Sequence, residues 1–315
     1  MSPLLLAVAL AAASGTKLGV YVAGDDATSQ ALLAAPGCPQ LTVFPAATSS
    51  MAQAAAFRAA CPMSKVVAQV GDAGMTVSAA VAEASWPIWY TLLGNNLGFG
   101  NFDVVEGPPE PAGMTADVAA FWAAFAAHVQ QLPKIPVVGS LATGTLAPAF
   151  CPTATAVNAL GLPWAWSYHA FSTSLTQDLP TETATTLGYR AIRDGCGLAG
   201  VAIYLTQAGP APGRSWQAGD VTWLGWLDGQ LAVDGAVVGA ALYEAGGTDR
   251  SLAPVSAQLV SYLQSARATD GGTGSPGLTR ESGCATAGAG YALLAVLPLL
   301  WVARRRRAPG GPPTA

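Results

Sequence analysis

Val201-Ala-Ile-Tyr-Leu-Thr-Gln-Ala-Gly209 is an apolar run that turns polar at Thr206 and Gln207 and breaks at Gly209. Asp103-Val-Val-Glu-Gly-Pro-Pro-Glu110 follows the same plan, with an apolar pair, an acid, and then a Gly-Pro break. A strand covered on both faces reads as a continuous apolar run, and at the mouth of a parallel sheet it hands polar side chains to the loops. Working outward, the candidate strands are Leu18–Ala23, Leu41–Pro45, Lys65–Gly71, Phe102–Glu106, Val137–Leu141, Trp164–His169, Val201–Thr206 and Val237–Tyr243. Between them lie Ala-rich segments with helical spacing. In Ala116–Leu132, the residues Val118, Phe121, Trp122, Phe125 and Val129 share one face, and Thr181–Arg193 and Val221–Leu231 are two further helices. Eight strand–helix units in roughly 250 residues is the count of a closed (β/α)8 TIM barrel, an α/β fold. The first strand ends Val22-Ala-Gly-Asp-Asp26 with no GxGxxG turn, which argues against an open dinucleotide-binding sheet. Met75 to Gly100 makes no single clean helix and is expected as a long loop at the mouth, where Trp86 and Trp89 either line a cleft or simply pack.

The barrel is expected over residues 16–265. Ahead of it, the short apolar run of residues 1–15 ends in small residues and reads as a signal peptide, although no Lys or Arg precedes it. Behind it, residues 266–283 are rich in Gly, Thr and Ser and read as a flexible linker. Residues 284–307 then give Cys284, an apolar stretch from Ala285 to Ala303, and the cluster Arg304 to Arg307, before a tail at 308–315. About 19 apolar residues nearly cross a hydrocarbon core, with the Arg cluster on the cytoplasmic side, so a transmembrane anchor fits. The order Gly-Cys, apolar helix, Arg cluster also resembles the myxobacterial C-terminal sorting signal, which implies processing at Cys284 and delivery to the cell surface. Both readings place an exported domain at the cell surface or anchored to the outer membrane.

Four of the 14 basic residues form that Arg cluster, so ten basic residues stand against 18 acidic ones ahead of it, a balance near −8. A basic patch is missing, and nucleic acid is not an expected partner. Cys38, Cys61, Cys151 and Cys196 form an even set in an exported domain and suggest disulfides. Cys38 and Cys61 each precede a strand, which brings them to the same end of neighbouring units and makes them a plausible pair. Cys151 follows a strand while Cys196 precedes one, which puts them at opposite ends and leaves the second pairing open. No Cys/His spacing suits a metal, and no cofactor is expected.

Catalytic residues of such barrels sit at the C-terminal strand ends. Those ends carry Asp25, Asp26, Asp72, Glu106, Glu110, Tyr168, His169, Gln207, Tyr243 and Glu244. Cleaving a glycoside takes two carboxyl groups across the scissile bond, one protonated and one ionised. Each candidate also has a plain structural reading: Glu110 as a solvated loop acid, His169 as a satisfied strand-end histidine, and Gln207 as a group bonded to its own turn.

The strand-end motifs resemble those of clan A glycoside hydrolases over nearly the whole domain. In that clan the fourth strand ends in an Asn-Glu pair bearing the acid/base, and the seventh ends in a Thr-Glu-x-Gly-like turn bearing the nucleophile. Glu106-Gly-Pro-Pro-Glu110-Pro111 matches the first, with Glu110 as acid/base, and Thr206-Gln-Ala-Gly209 matches the second. His169 matches a sixth-strand histidine that lines the sugar site. Pro109 replaces the Asn, and Gln207 replaces the nucleophilic Glu; an amide can neither form the glycosyl ester nor act as a general base. The resemblance therefore implies a cell-surface barrel that binds a polysaccharide or other glycan with hydrolysis weakened or lost, a pseudoenzyme. Glu106, Tyr168, His169, Tyr204 and Trp216 are expected to contact the sugar, with Trp164 as a further stacking face. The alternatives are an active glycosidase pairing Glu110 with Glu244, and a non-catalytic surface adhesion or scaffold module. An open, aromatic-lined mouth separates the glycan readings from the scaffold.

Overall fold

The computed structural model describes residues 16–271 apart from 36, 248 and 249. Strands β1 (Leu18–Val22), β2 (Leu41–Pro45), β3 (Lys65–Gln69), β4 (Val104–Glu106), β5 (Ile135–Leu141), β6 (Ala165–Ser172), β7 (Ile203–Pro210) and β8 (Val237–Ala245) pair in sequence order. Every pairing is parallel, and β1 meets β8 to close the ring. Because each strand has a helix outside and the barrel lumen inside, its apolar residues are buried on both faces. Tyr21, Val43, Val67, Val104, Val137 and Tyr204 are among the side chains that fill the lumen. The outward-facing strand residues, Trp166 among the largest, pack under the helices, whose inward faces bring Trp122 and Trp223 to the same core.

The helices are α1 (Ala27–Leu33), α2 (Met51–Ala60), α3 (Ala79–Leu92), α4 (Thr115–Val129), α5 (Ala147–Asn158), α6 (Leu179–Ala184), α7 (Tyr189–Gly195), α8 (Val221–Ala232) and α9 (Ser256–Gly271). α9 takes in residues 266–271, the start of the expected linker. The stretch expected as a loop at the mouth is α3, capped by Ser78 and continued by a π-helical turn over Leu93–Leu97. Its Trp86 and Trp89 pack on Phe125 and Phe121 of α4 and line no cleft at the mouth. The Ala-rich composition hid the helical face, because small residues weaken the contrast between its sides.

The single helix expected over Thr181–Arg193 is two. Glu182 is fully buried and accepts hydrogen bonds from Ser172, Thr185 and Thr186, which ends α6 after two turns. Gly188 then passes the Tyr168 hydroxyl so closely that a Cβ there would lie 2.6 Å from it. This break also explains the second disulfide. Cys38 bonds Cys61, as expected, and Cys151 bonds Cys196, the pairing left open. α7 stops with residues 196–202 still to run before β7, so Cys196 never travels to the far end and instead meets the first turn of α5.

Among the described residues, no helix is long and apolar enough to cross a membrane. The segments 1–15 and 284–307, Cys284 included, lie outside the described residues.

Candidate active site

The mouth of the barrel is built on a break in the sheet. Between Val138 and Leu141 the β5–β6 ladder shifts register, with Gly139 at φ 104° and Ser140 at φ 42°. A bulge of this kind re-aims one side chain. Here the Ser140 hydroxyl is turned inward to Glu106, 2.7 Å away. Thr206 of β7 donates to the same oxygen at 2.7 Å, and the Gln69 amide of β3 donates to the other at 2.8 Å. Gln69 in turn accepts from the Tyr21 hydroxyl at 2.7 Å. Glu106 is fully buried beneath this polar layer and bonded to neutral donors. It is a floor beam that orients Gln69 and Tyr21, and it is not placed to touch a sugar as expected.

Above the floor lies a cleft of about 360 Å³. One side carries Glu110. Its backbone N–H donates to the carbonyl of Ser140 at 3.0 Å, and its φ of 48° is a left-handed value unusual for a side chain with a Cβ. Prolines 109 and 111 on either side, and the bond from Gly74 N–H to the Pro109 carbonyl, hold it there. One carboxylate oxygen of Glu110 lies 2.8 Å from His169 Nδ1. The hydrogen bond to His169 outweighs burial and holds the Glu110 carboxyl below its ordinary range, with the charges of His169 and Arg250 adding to it. An ionised carboxylate only accepts, so Nδ1 carries the proton. The His169 ring is fully buried, and its Nε2 has no hydrogen-bond partner among the described residues. His169 is thus a positioning residue for Glu110.

Facing Glu110 is the end of β8. In an eight-strand ring β4 and β8 stand opposite one another, so Glu244 comes from the far wall of the same cleft. Beside it, the Arg250 guanidinium lies 4.2 Å from the ring centre of Phe171 and 4.3 Å from that of Tyr243, and it donates to the Pro210 carbonyl. Tyr243 also packs on Tyr21, with centroids 4.8 Å apart. Burial, then the charge of Glu244, raises the Tyr243 hydroxyl to about 12, with Arg250 opposing.

Gln207 lines the cleft from β7 and is 7 % exposed, and its amide has no hydrogen-bond partner among the described residues. It does not bond its own turn. The register shift between Leu205 and Ala208 lets both Thr206 and Gln207 reach the inside of the barrel, one to the floor and one to the cleft.

The other expected contacts fall elsewhere. Tyr204 fills the lumen below the floor, where burial raises its hydroxyl to about 12. Tyr168 points outward and donates to the Thr185 carbonyl. Trp216 is buried under Gly209, whose φ of 139° lets the strand pass close to the indole, and its Nε1 donates to the Tyr243 carbonyl. It braces the wall without offering a stacking face. Trp164 bonds Asn158 at the opposite end of β6. Asp26 caps α1, and Asp25 accepts from Gln30 on the outer surface. Asp72 lines the cleft. Tyr21, Gln69, Phe171 and Arg250 were not anticipated. Arg250 follows the last strand in no recognisable pattern, while Tyr21 lies on an apolar strand whose parity alone aims it inward. No group of His, Cys, Asp and Glu among the described residues is arranged to hold a metal ion.

No family model and no curated protein matches this chain. Solved structures do share its barrel. A glucosidase from Croceicoccus marinus is 12% identical with a TM-score of 0.51, covering 74% of this chain and 61% of its own. Beta-glucuronidase 2 of Bacteroides uniformis is 7% identical with a TM-score of 0.50, covering 73% and 30%. A GH5-4 broad-specificity endoglucanase from an uncultured bacterium is 10% identical with a TM-score of 0.48, covering 80% and 94%. The chain therefore spans less than two thirds of the glucosidase and of the glucuronidase. At such identities the likeness to the glucosidase and the glucuronidase establishes the fold alone, and chemistry has to be argued from the cleft.

Proposed function

We propose that this barrel binds a glycan in the cleft at its mouth and hydrolyses it weakly or not at all. One observation supports the reading: an open cleft of about 360 Å³ is lined by Gln207, which stands where the resembling seventh-strand motif has its carboxylate and whose amide has no hydrogen-bond partner among the described residues. An amide that is nearly buried yet bonded to none of the described residues suits a ligand hydroxyl. The aromatic edges of Tyr21, Tyr243 and Phe171 supply apolar surface for the C–H face of a sugar. An open mouth favours glycan binding over a plain scaffold, whose barrel would be plugged. The two disulfides support an oxidising compartment. With the signal-like residues 1–15 and the apolar segment 284–307, they favour an exported protein held at the cell surface.

A second reading rests on the opposition of Glu110 and Glu244 across the ring, which would give an active glycosidase. Glu110 is held ionised by His169 and would act as base or nucleophile, which leaves Glu244 to protonate the leaving group.

Affinity electrophoresis through gels containing single polysaccharides tests the first reading. Retardation by at least one polysaccharide, lost in Tyr21→Ala and Gln207→Ala variants that remain folded, is the expected result. Migration unaffected by every polysaccharide would remove the glycan from the proposal.

A further inference from the structure

A second cavity lies beside Glu110. It holds about 230 Å³ between the loop from β4 to α4 and the loop from β5 to α5, and Glu110 lines both this pocket and the cleft. Pro111, Val118, Leu141, Ala142 and Ala149 give it apolar walls. Glu110 is the one charged side chain among its described lining residues, and that charge is already answered by His169. Ser140 also lines the pocket, but its hydroxyl is bonded to Glu106. A small, mainly apolar pocket that opens from a polar cleft suits an apolar part of the same ligand.

The helix starts beside it give a second, independent observation. α1, α2, α3 and α6 begin at Asp26, Ser50, Ser78 and Asp178, whose side chains accept from the first turn. α4 and α5 begin instead at Met114 and Leu146, with no side-chain cap. A Met or Leu at that position forgoes the hydrogen bond that Ser, Thr, Asp or Asn would make. Each is also 73 % exposed, so packing does not make up the loss. Apolar side chains scattered singly over a surface are ordinary. These two stand on helices that pack together, and each is next in sequence to a residue of the pocket wall, Thr115 and Thr145. Stability given up on both sides of one pocket marks a surface kept for a ligand.

We propose that the glycan of the cleft carries an apolar substituent, an alkyl or acyl chain, which passes Glu110 and lies in this pocket against Met114 and Leu146. The inference rests on the glycan reading and gives it a substrate class. Two sources share the chemistry: an alkyl aglycone at the anomeric oxygen, and an acyl ester on a ring hydroxyl. A chain in the pocket takes apolar surface out of water on both partners. A sulfate, phosphate or uronate there would meet the Glu110 carboxylate with no cation among the described lining residues to answer it.

Calorimetric titration of the full chain tests the inference in the gluco, manno and galacto series. The probes are the methyl glycoside, the octyl glycoside, the methyl glycoside esterified with octanoate at its primary hydroxyl, and tetraethylene glycol monooctyl ether as a chain without sugar, all below micellar concentrations. In at least one series a sugar bearing the chain is expected to bind at least tenfold more tightly than its methyl glycoside. A gain with the octyl glycoside assigns the substituent to the aglycone, and a gain with the ester assigns it to the ring. The double variant Met114→Ser, Leu146→Ser should cut the gain below threefold, leave the methyl glycoside unchanged, and melt no lower than the wild type. Ala149→Phe, which fills the pocket, should cut the gain equally. Ile88→Ser, at a side chain 63 % exposed on α3 that lines neither cavity, should leave it intact. Equal binding of substituted and methyl sugars in every series overturns the substituent and leaves the glycan reading standing. A gain that survives both pocket variants overturns its placement here. Binding of the sugar-free chain as tightly as the substituted sugars overturns the saccharide, and binding by none of the probes overturns both.

Discussion

Glu110 and His169 form a pair across two strands, with the carboxylate oxygen 2.8 Å from Nδ1. The loop that carries Glu110 is pinned at its backbone, and the ring of His169 is buried, so neither partner is free to leave. The consequence is chemical. A general acid needs a carboxyl that keeps its proton near neutral pH, and this one is arranged to lose it. His169→Ala should raise the pKa of Glu110 toward its ordinary value near 4.5, read by carboxyl 13C titration. Glu110's folded pKa lies below the unfolded one, so its contribution to stability is complete above the unfolded value. It fades as pH falls through the folded pKa. In the variant, that acid-limb loss of stability should shrink. An unchanged Glu110 titration would mean that His169 does not set its charge.

The floor makes a stronger demand. Removing the Glu106 carboxylate strands donors from Gln69, Ser140 and Thr206 in a fully buried layer. Each unsatisfied buried donor costs about 1–3 kcal/mol, partly relieved by relaxation or an entering water. Glu106→Ala should therefore destabilise the protein by about 3 kcal/mol in urea denaturation. Glu106→Gln, which keeps one acceptor, should cost about half as much. Equal, negligible losses would mean that the network does not hold the mouth.

The two disulfides close loops of different length, with sequence separations of 23 and 45. By loop-closure entropy the shorter contributes about 3 kcal/mol and the longer about 4. Replacing Cys151 and Cys196 together with Ser should accordingly lower the denaturation midpoint more than replacing Cys38 and Cys61. The reverse order would show that native packing around α7, and not the unfolded chain, dominates.

What the sequence disclosed about this molecule depended on period. Eight apolar runs separated by helical stretches disclosed the barrel, because each strand must be apolar on both faces. Glu110, Gln207 and Glu244 were recognisable as mouth residues because each closes such a run at a Gly or Pro break, and all three line one cleft. The aromatic contacts were not recoverable in the same way. Which face a strand residue takes follows from counting by twos, and by that count Tyr168 goes outward with Trp166 and Ala170, opposite to His169. Tyr204 counts inward with Thr206 but lies deeper in the lumen, a depth that residue type does not announce. The slip between Leu205 and Ala208 breaks the count only for Gln207, which it brings to the cleft. The second disulfide escaped for a related reason, since nothing local announces that α7 ends early.

Gln207→Glu separates the two readings of the cleft. The substituted carboxylate would stand on β7 between the Glu110–His169 pair and the Glu244 wall, restoring the residue that a two-carboxylate mechanism places there. Burial and the neighbouring acids would raise its pKa, so its ionised fraction, and any rate that depends on it, should climb with pH across the weakly acidic range. If Gln207 alone silences an otherwise intact site, the variant should hydrolyse an oligosaccharide of a polysaccharide that the cleft binds at least a hundredfold faster than the wild type. Reducing-end release is the measurement. Wild-type turnover that is abolished by Glu244→Gln, with no gain from Gln207→Glu, would instead assign the chemistry to Glu110 and Glu244. If both proteins bind the oligosaccharide and neither cleaves it, the missing carboxylate is not the only defect. Pro109, which brings no side-chain donor where the resembling motif has an Asn, becomes the next position to restore, by Pro109→Asn in the Gln207→Glu background.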